Sequence, residues 1–252
     1  MAYTPGLFVW RELITVDPES AARFYTAVFG WKIQGVPFDG GTYYLVDSGP
    51  KQIAGIMALP GGRSVPPHWN PYVSVTDVDA AADRAKALGA QIVFGPVDLP
   101  TVGRVATLVD AGGAVMSLFK SAKGDPEPAP PKLGEFCWEQ LNASDPPAAK
   151  TFHTGVLGWR ARPFEGGGLD VFETAAEPPV AVASLVPAPS GAPSHWLSHV
   201  VVDGLAEGSA RVTANGGRIL VPRIDVPRLG AFAVIQDPQG AVLCIFESRP
   251  PA

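Results

Sequence analysis

Apolar and polar residues alternate over residues 7–16 (LFVWRELITV), the period of a strand with one covered face. Asp17-Pro18 then fits a helix start. Asp serves as N-cap, and Pro takes the first helical position, where its missing N–H costs nothing. Ala21, Phe24, Tyr25 and Val28 follow at helical spacing and give that helix one apolar face; Gly30 closes it. Three short strands are predicted near 31–38, 42–48 and 52–59, separated by Gly-rich turns. A second round follows: a strand at 69–76, a helix from Val78 to Leu88 closed by Gly89, and strands near 91–94, 103–109 and 114–120. Asp110-Ala-Gly-Gly113 and Asp237-Pro-Gln-Gly240 predict hairpin turns.

The pattern repeats. Trp10-Arg-Glu-Leu-Ile-Thr-Val-Asp17-Pro18 returns 128 residues later as Trp138-Glu-Gln-Leu-Asn-Ala-Ser-Asp145-Pro146. Phe24, Gly30 and Trp31 return as Phe152, Gly158 and Trp159. Beyond one deletion the offset is 127: His68-Trp69 returns as His195-Trp196, and Asp98, Pro100, Gly103, Asp110 and Gly113 as Asp225, Pro227, Gly230, Asp237 and Gly240. Each half therefore reads β-α-β-β-β twice, giving four βαβββ modules of the α+β class, helices covering one face of a mainly antiparallel sheet. The expected domains are 1–123 and 134–252, joined by a Pro-rich linker over 124–133.

Composition narrows the function classes. The chain has 252 residues, 46% hydrophobic and 17% charged, enough to bury real cores. Its formal net charge is -5 and no Lys/Arg cluster stands out, so neither nucleic acid nor an anionic membrane is an expected partner. The start lacks a charged region followed by an apolar one, and no apolar run approaches the ~20 residues of a membrane span. The 2 cysteines, Cys137 and Cys244, make no disulfide framework. A cytoplasmic location is expected.

The run Asp17-Pro-x-x-Ala21-x-x-Phe24-Tyr25-x-x-x-Phe29-Gly30-Trp31 resembles the first helix of vicinal oxygen chelate proteins, the glyoxalase/bleomycin resistance/extradiol dioxygenase superfamily. So does Asp237-Pro-Gln-Gly240 before a closing strand. The resemblance spans both halves. It implies two tandem glyoxalase-like domains with open cup-shaped sheets. Members include glyoxalases, extradiol dioxygenases, epimerases, fosfomycin-inactivating thiol transferases and metal-free drug-binding proteins, so fold leaves function open.

Metal-dependent members take His, Gln or Glu from the first strand of the modules and Glu from the last, an open N/O set with room for substrate oxygens. By the resemblance the first-strand positions, seven residues before the capping Asp, hold Trp10 and Trp138 here. The second modules offer Asn70 and Leu197, and the closing strands Ser117 and Cys244. Indole has no lone pair to give and Leu cannot ligate. No cofactor is expected; a divalent metal belongs to an alternative reading with shifted strand register.

Side chains two apart share a strand face. The faces carrying these positions hold Trp10 and Glu12, Trp138 and Gln140, His68, Asn70 and Tyr72, His195 and His199, and Ser117 and Cys244. Aromatic and apolar groups with a few polar ones suit a flat organic ligand. Glu12 is a candidate general acid or base; the competing reading pairs it with Arg11, Arg104 or a backbone N–H. His199 is a second candidate, beside Gln140, or a plain lining residue. His68 and His195, each before Trp at matching positions of the two halves, suggest a shared structural job such as fixing the strand entry after Pro66-Pro67, and His153 packing. Cys244 reads as a small hydrophobe.

Two functions follow from different classes. One is sequestration of a small aromatic or polyketide-like molecule. The other is a metal-independent tailoring enzyme (lyase, isomerase, cyclase or hydroxylase-like) using Glu12 or His199. The alternative is a divalent-metal-dependent glyoxalase/lyase or dioxygenase. The tandem copy supplies domain pairing internally, so a monomer is expected, with a homodimer open.

Overall fold

A computed structural model gives the structure of residues 2–61 and 65–249. The first half runs β1 (Phe8–Thr15), α1 (Pro18–Phe29), β2 (Lys32–Phe38), β3 (Gly41–Ser48), β4 (Lys51–Ala58), β5 (His68–Ser74), α2 (Val78–Ala87), β6 (Gln91–Leu99), β7 (Gly103–Val109) and β8 (Val115–Ser121). The second runs β9 (Phe136–Ala143), α3 (Pro146–Leu157), β10 (Arg160–Pro163), β11 (Asp170–Glu173), β12 (Ala181–Pro187), β13 (His195–Val201), α4 (Leu205–Ala214), β14 (Arg218–Val226), β15 (Gly230–Gln236) and β16 (Val242–Ser248). All four βαβββ modules are present.

The helix ends form for the expected reasons. The Asp17 carboxylate accepts the Ser20 N–H at 3.0 Å and Pro18 opens α1. Gly30 closes it at φ 71°, a left-handed turn that a side chain adopts only at a cost. Asp145 and Gly158 do the same for α3.

The strands form two open eight-stranded sheets, ordered β2-β3-β4-β1-β5-β8-β7-β6 and β10-β11-β12-β9-β13-β16-β15-β14. Within each module the first and last strands run parallel and the rest antiparallel. β6 is longer than the expected 91–94. Gly95-Pro96 reads as a turn, but β6 is an edge strand, where the missing proline N–H breaks no ladder, and bulges carry the pairing past it.

Packing divides the chain into two compact units that cut across the repeat. One takes Met1–Val9, Asn70–Pro128 and Glu139–Trp196; the other takes Trp10–Trp69, Ala129–Trp138 and Leu197–Ala252. Each unit thus joins a module of one half to a module of the other.

In the first unit α2 packs on α3 over a core that includes Ala81, Ala85, Leu118, Phe152, Trp159 and Trp196. Arg84 donates from Nε and Nη2 to the Val156 carbonyl, at 3.3 and 3.1 Å, covering one of the acceptors that a helix C-terminus leaves without an intrahelical donor. In the second unit α1 packs on α4 over Leu13, Phe24, Trp31, Trp69, Val212 and Ile245. Here Arg211 donates to the Val28 carbonyl at 2.9 Å. The paired arginines repeat one solution: a helix from one half closes the helix end of the other. Among the described residues no helix is long and apolar enough to cross a membrane.

Candidate active site

The helix side of β1 is fixed by Leu13, fully buried in the second unit's core. Alternation then turns Trp10 and Glu12 to the opposite face. On that face β1 pairs parallel with β4, setting Glu12 beside Gly55, and β3 pairs antiparallel with β4, setting Leu45 beside Gly55. Tyr43, two residues from Leu45, shares its face and reaches across Gly55 toward β1. A Cβ on Gly55 would stand 1.8 Å from the Tyr43 hydroxyl, so this crossing needs glycine.

The result is a short polar chain. Trp10 Nε1 donates to the Tyr43 hydroxyl at 3.2 Å, and the hydroxyl donates to Glu12 Oε1 at 3.0 Å. Burial, and then the Glu12 carboxylate, push the Tyr43 hydroxyl well above its ordinary range. Tyr43 therefore stays protonated and keeps donating. Glu12 is only 8% exposed. Arg104, one of the partners expected for Glu12, is held by Asp79 and Asp98.

Tyr43 and Gly55 were not legible as site residues. The Tyr43-Tyr44 doublet puts one ring on each face, a signal of a kind, but the repeat gives no support. By strand register the second half places Gln140, Ser184 and Leu169 where the first has Glu12, Gly55 and Tyr43.

In the first unit Asn70, Tyr72 and Ser117 come together. Asn70 Nδ2 donates to Ser117 Oγ at 2.9 Å, and Ser117 shares a hydrogen bond with Thr107 at 2.8 Å. Tyr72 pairs with Ser117 in register, and its ring meets Phe119 edge-on at 5.8 Å. Gln140 Nε2 donates to Asn142 Oδ1 at 3.0 Å.

His199 and Cys244 are paired in register and buried, Cys244 in a small apolar cluster with Leu197 and Phe232 and His199 beside it. The His199 ring lies 4.8 Å from the Phe232 ring. Burial drives its pKa down to about 3, so the imidazole is neutral near pH 7 and a weak base. His68 and His195 each donate from Nδ1 to the carbonyl two residues back, Pro66 and Pro193, both at 2.9 Å. They fix the starts of β5 and β13. Trp138 is half-buried on β9.

The residues at the family's ligand positions do not fit a divalent ion. Trp10 turns an N–H to Tyr43, Asn70 and Ser117 supply only neutral oxygens, and Leu197 and Cys244 sit in the apolar cluster. Among the described residues no three His, Cys, Asp or Glu side chains gather as a metal set.

Comparison with known proteins agrees with this architecture. Residues 8–124 and 133–245 each match the sequence profile of the Glyoxalase/Bleomycin resistance protein/Dioxygenase superfamily. The chain is 30% identical over 253 residues to the putative glyoxylase CFP32 of Mycobacterium bovis, covering 98% of this chain and 97% of that protein. It is 26% identical over 264 residues to the anthracycline biosynthesis protein DnrV of Streptomyces peucetius, covering 98% and 95%. In fold it resembles the 2,3-dioxygenase LapB from Pseudomonas sp. KL28, with TM-score 0.65 at 13% identity over 100% of this chain and 98% of that one. It also resembles a Mn(II)-bound glyoxalase from Novosphingobium aromaticivorans, with TM-score 0.61 at 14% identity over 96% and 82%.

Proposed function

The chain belongs to the Glyoxalase/Bleomycin resistance protein/Dioxygenase superfamily, and from that premise we propose that it is a metal-independent acid/base enzyme acting on a small aromatic or polyketide-like molecule. One observation carries the reading: the chain Trp10–Tyr43–Glu12, laid over Gly55 on a strand face where the family resemblance leads one to expect a metal ligand.

The chemistry follows from the groups present. Glu12 presents a carboxylate that is largely screened from water and oriented by the Tyr43 hydroxyl. Tyr43 aims the carboxylate and does not protonate it, because its own proton is held firmly. Glu12 removes a proton from substrate carbon or oxygen and returns it at another atom, the step an isomerase or lyase needs. His199 is set aside as the base, since it is far too weak near neutral pH. Two relatives named for anthracycline biosynthesis support an aromatic polyketide as the substrate class.

The test is solvent exchange. Aromatic polyketide ketones are incubated with the protein in D2O and deuterium uptake is followed by mass spectrometry. Native protein exchanges a substrate proton; Glu12→Gln slows exchange at least ~100-fold while binding is kept. Binding with no exchange in the native protein overturns the enzyme reading. It favours the second one, sequestration without turnover, for which the apolar cluster of Leu197, Phe232 and Cys244 speaks.

A further inference from the structure

The β5–β8 face of the first unit carries a polar trio with one bond unmade. Asn70 is 1% exposed. Its amide N–H donates to Ser117, which is bonded to Thr107, yet among the described residues its carbonyl oxygen Oδ1 has no hydrogen-bond partner. Buried polar groups in folded proteins are nearly always paired, so an orphaned acceptor calls for a reason.

The repeat shows that the fold is not the reason. The residues corresponding to Asn70, Thr107 and Ser117 are Leu197, Val234 and Cys244. They pack as an apolar cluster on an equivalent set of strands. A sheet of this kind thus forms with Leu, Val and Cys at these positions. The first half keeps three polar side chains there and leaves one acceptor open. The rings of Tyr72 and Phe119 stand on the same face as the trio.

We propose that Asn70, held by Ser117 and Thr107, is a hydroxyl-reading subsite that accepts a hydrogen bond from the O–H of a hydroxyaromatic ligand. Asn70 Oδ1 supplies the acceptor. Ser117, bonded in turn to Thr107, takes the amide N–H and leaves Oδ1 as the open acceptor. Tyr72 and Phe119 supply ring surface for the aromatic body. The subsite reads a donor, because a methyl ether in the same place leaves Oδ1 unpaired and buries a methyl against it. This inference is independent of Glu12 as a base, since it is measured as binding and needs no turnover.

The experiment compares 1-naphthol with 1-methoxynaphthalene on the full chain, with dissociation constants from tryptophan fluorescence quenching. The native chain is expected to bind the naphthol roughly tenfold more tightly or better, the ratio one charge-neutral hydrogen bond supplies. Asn70→Leu, which copies the residue of the other half, is expected to bring the two probes within about twofold of each other. Equal binding of the two probes by the native chain, no binding of the naphthol, or an unchanged preference in Asn70→Leu overturns the proposal. The native-chain comparison stands without the variant, so a poorly folding Asn70→Leu does not shelter it.

Discussion

The Tyr25 hydroxyl donates to Asp237 Oδ2 at 3.0 Å, joining the first helix of one half to the closing hairpin of the other, 212 residues along the chain. Trp69 Nε1 donates to the same hydroxyl at 3.0 Å, and Asp237 Oδ1 accepts the Gln239 and Ala241 N–H groups of its own turn. Burial, with the Asp237 charge behind it, raises the Tyr25 pKa, and burial raises that of Asp237. The other unit repeats the arrangement with a shorter side chain. His153 Nε2 stands 3.4 Å from Asp110 Oδ2, an ion-pair distance and not a well-formed hydrogen bond, and Trp196 Nε1 has no partner among the described residues.

That difference makes a stability prediction. Tyr25→Phe strips two buried hydrogen bonds and strands Trp69 Nε1 and one Asp237 oxygen, at a cost of about 2–4 kcal/mol. His153→Phe removes a contact that is already long and is expected to cost about 1 kcal/mol or less. Urea unfolding of both variants checks the order. A larger loss from His153→Phe refutes the idea that the hydroxyl network ties the second unit.

Gly55 makes a sharper prediction about the site. Ser184 holds its place in the second half, so Gly55→Ser imports a side chain that the repeat tolerates. The new Cβ displaces the Tyr43 hydroxyl, the far end of a ring, while the strands remain paired. Activity is expected to fall as far in Gly55→Ser as in Tyr43→Phe, about tenfold or more, with melting temperature within a few degrees of native. Full activity in either variant removes Tyr43 from the mechanism.

His199 predicts a pH dependence. Its folded pKa is about 3, through burial, against about 6.5 unfolded. Below pH 6.5 the unfolded chain takes up a proton that the folded chain refuses. Stability is therefore fully present above pH 6.5 and falls with pH toward 3, by up to ~1.4 kcal/mol per pH unit from this one group. His199→Leu, the same substitution of apolar for polar that the cluster already favours, is expected to flatten that limb of the stability curve. Matching slopes for native and variant protein between pH 4 and about 6.5 count against a buried neutral imidazole.

Metal content is the next expectation. Protein purified without chelator or added metal is expected to carry well under one equivalent of Fe, Mn, Ni or Zn, and to take up none tightly on titration. Elemental analysis decides it. A stoichiometric ion that is lost in Asn70→Leu or Glu12→Gln would restore the metal-dependent glyoxalase or dioxygenase alternative.

The parts of this protein that depend on local chemistry were legible in one strand of letters. Asp17-Pro18 and Gly30 bracket α1 because capping and left-handed backbone need those residue types, and Leu13 against Glu12 sets the two faces of β1 because side chains alternate. The repeat exposed four modules for the same reason. What sequence left open depended on register. Glu12 meets Tyr43 because β3 and β4 slide to the one pairing that puts Gly55 under the tyrosine, and nothing within eight letters of either strand encodes that slide. The partition into units was equally hidden. The apolar faces of α1 and α2 are visible in sequence, but a face states only that it must be covered, not by what. Tertiary structure chose α4 for one and α3 for the other. Sequence determined the elements, their faces and the family, since those rest on short-range sterics and hydrogen bonding; structure alone decided which faces meet and which carboxylate gains a donor, because those are contacts between residues far apart in the chain.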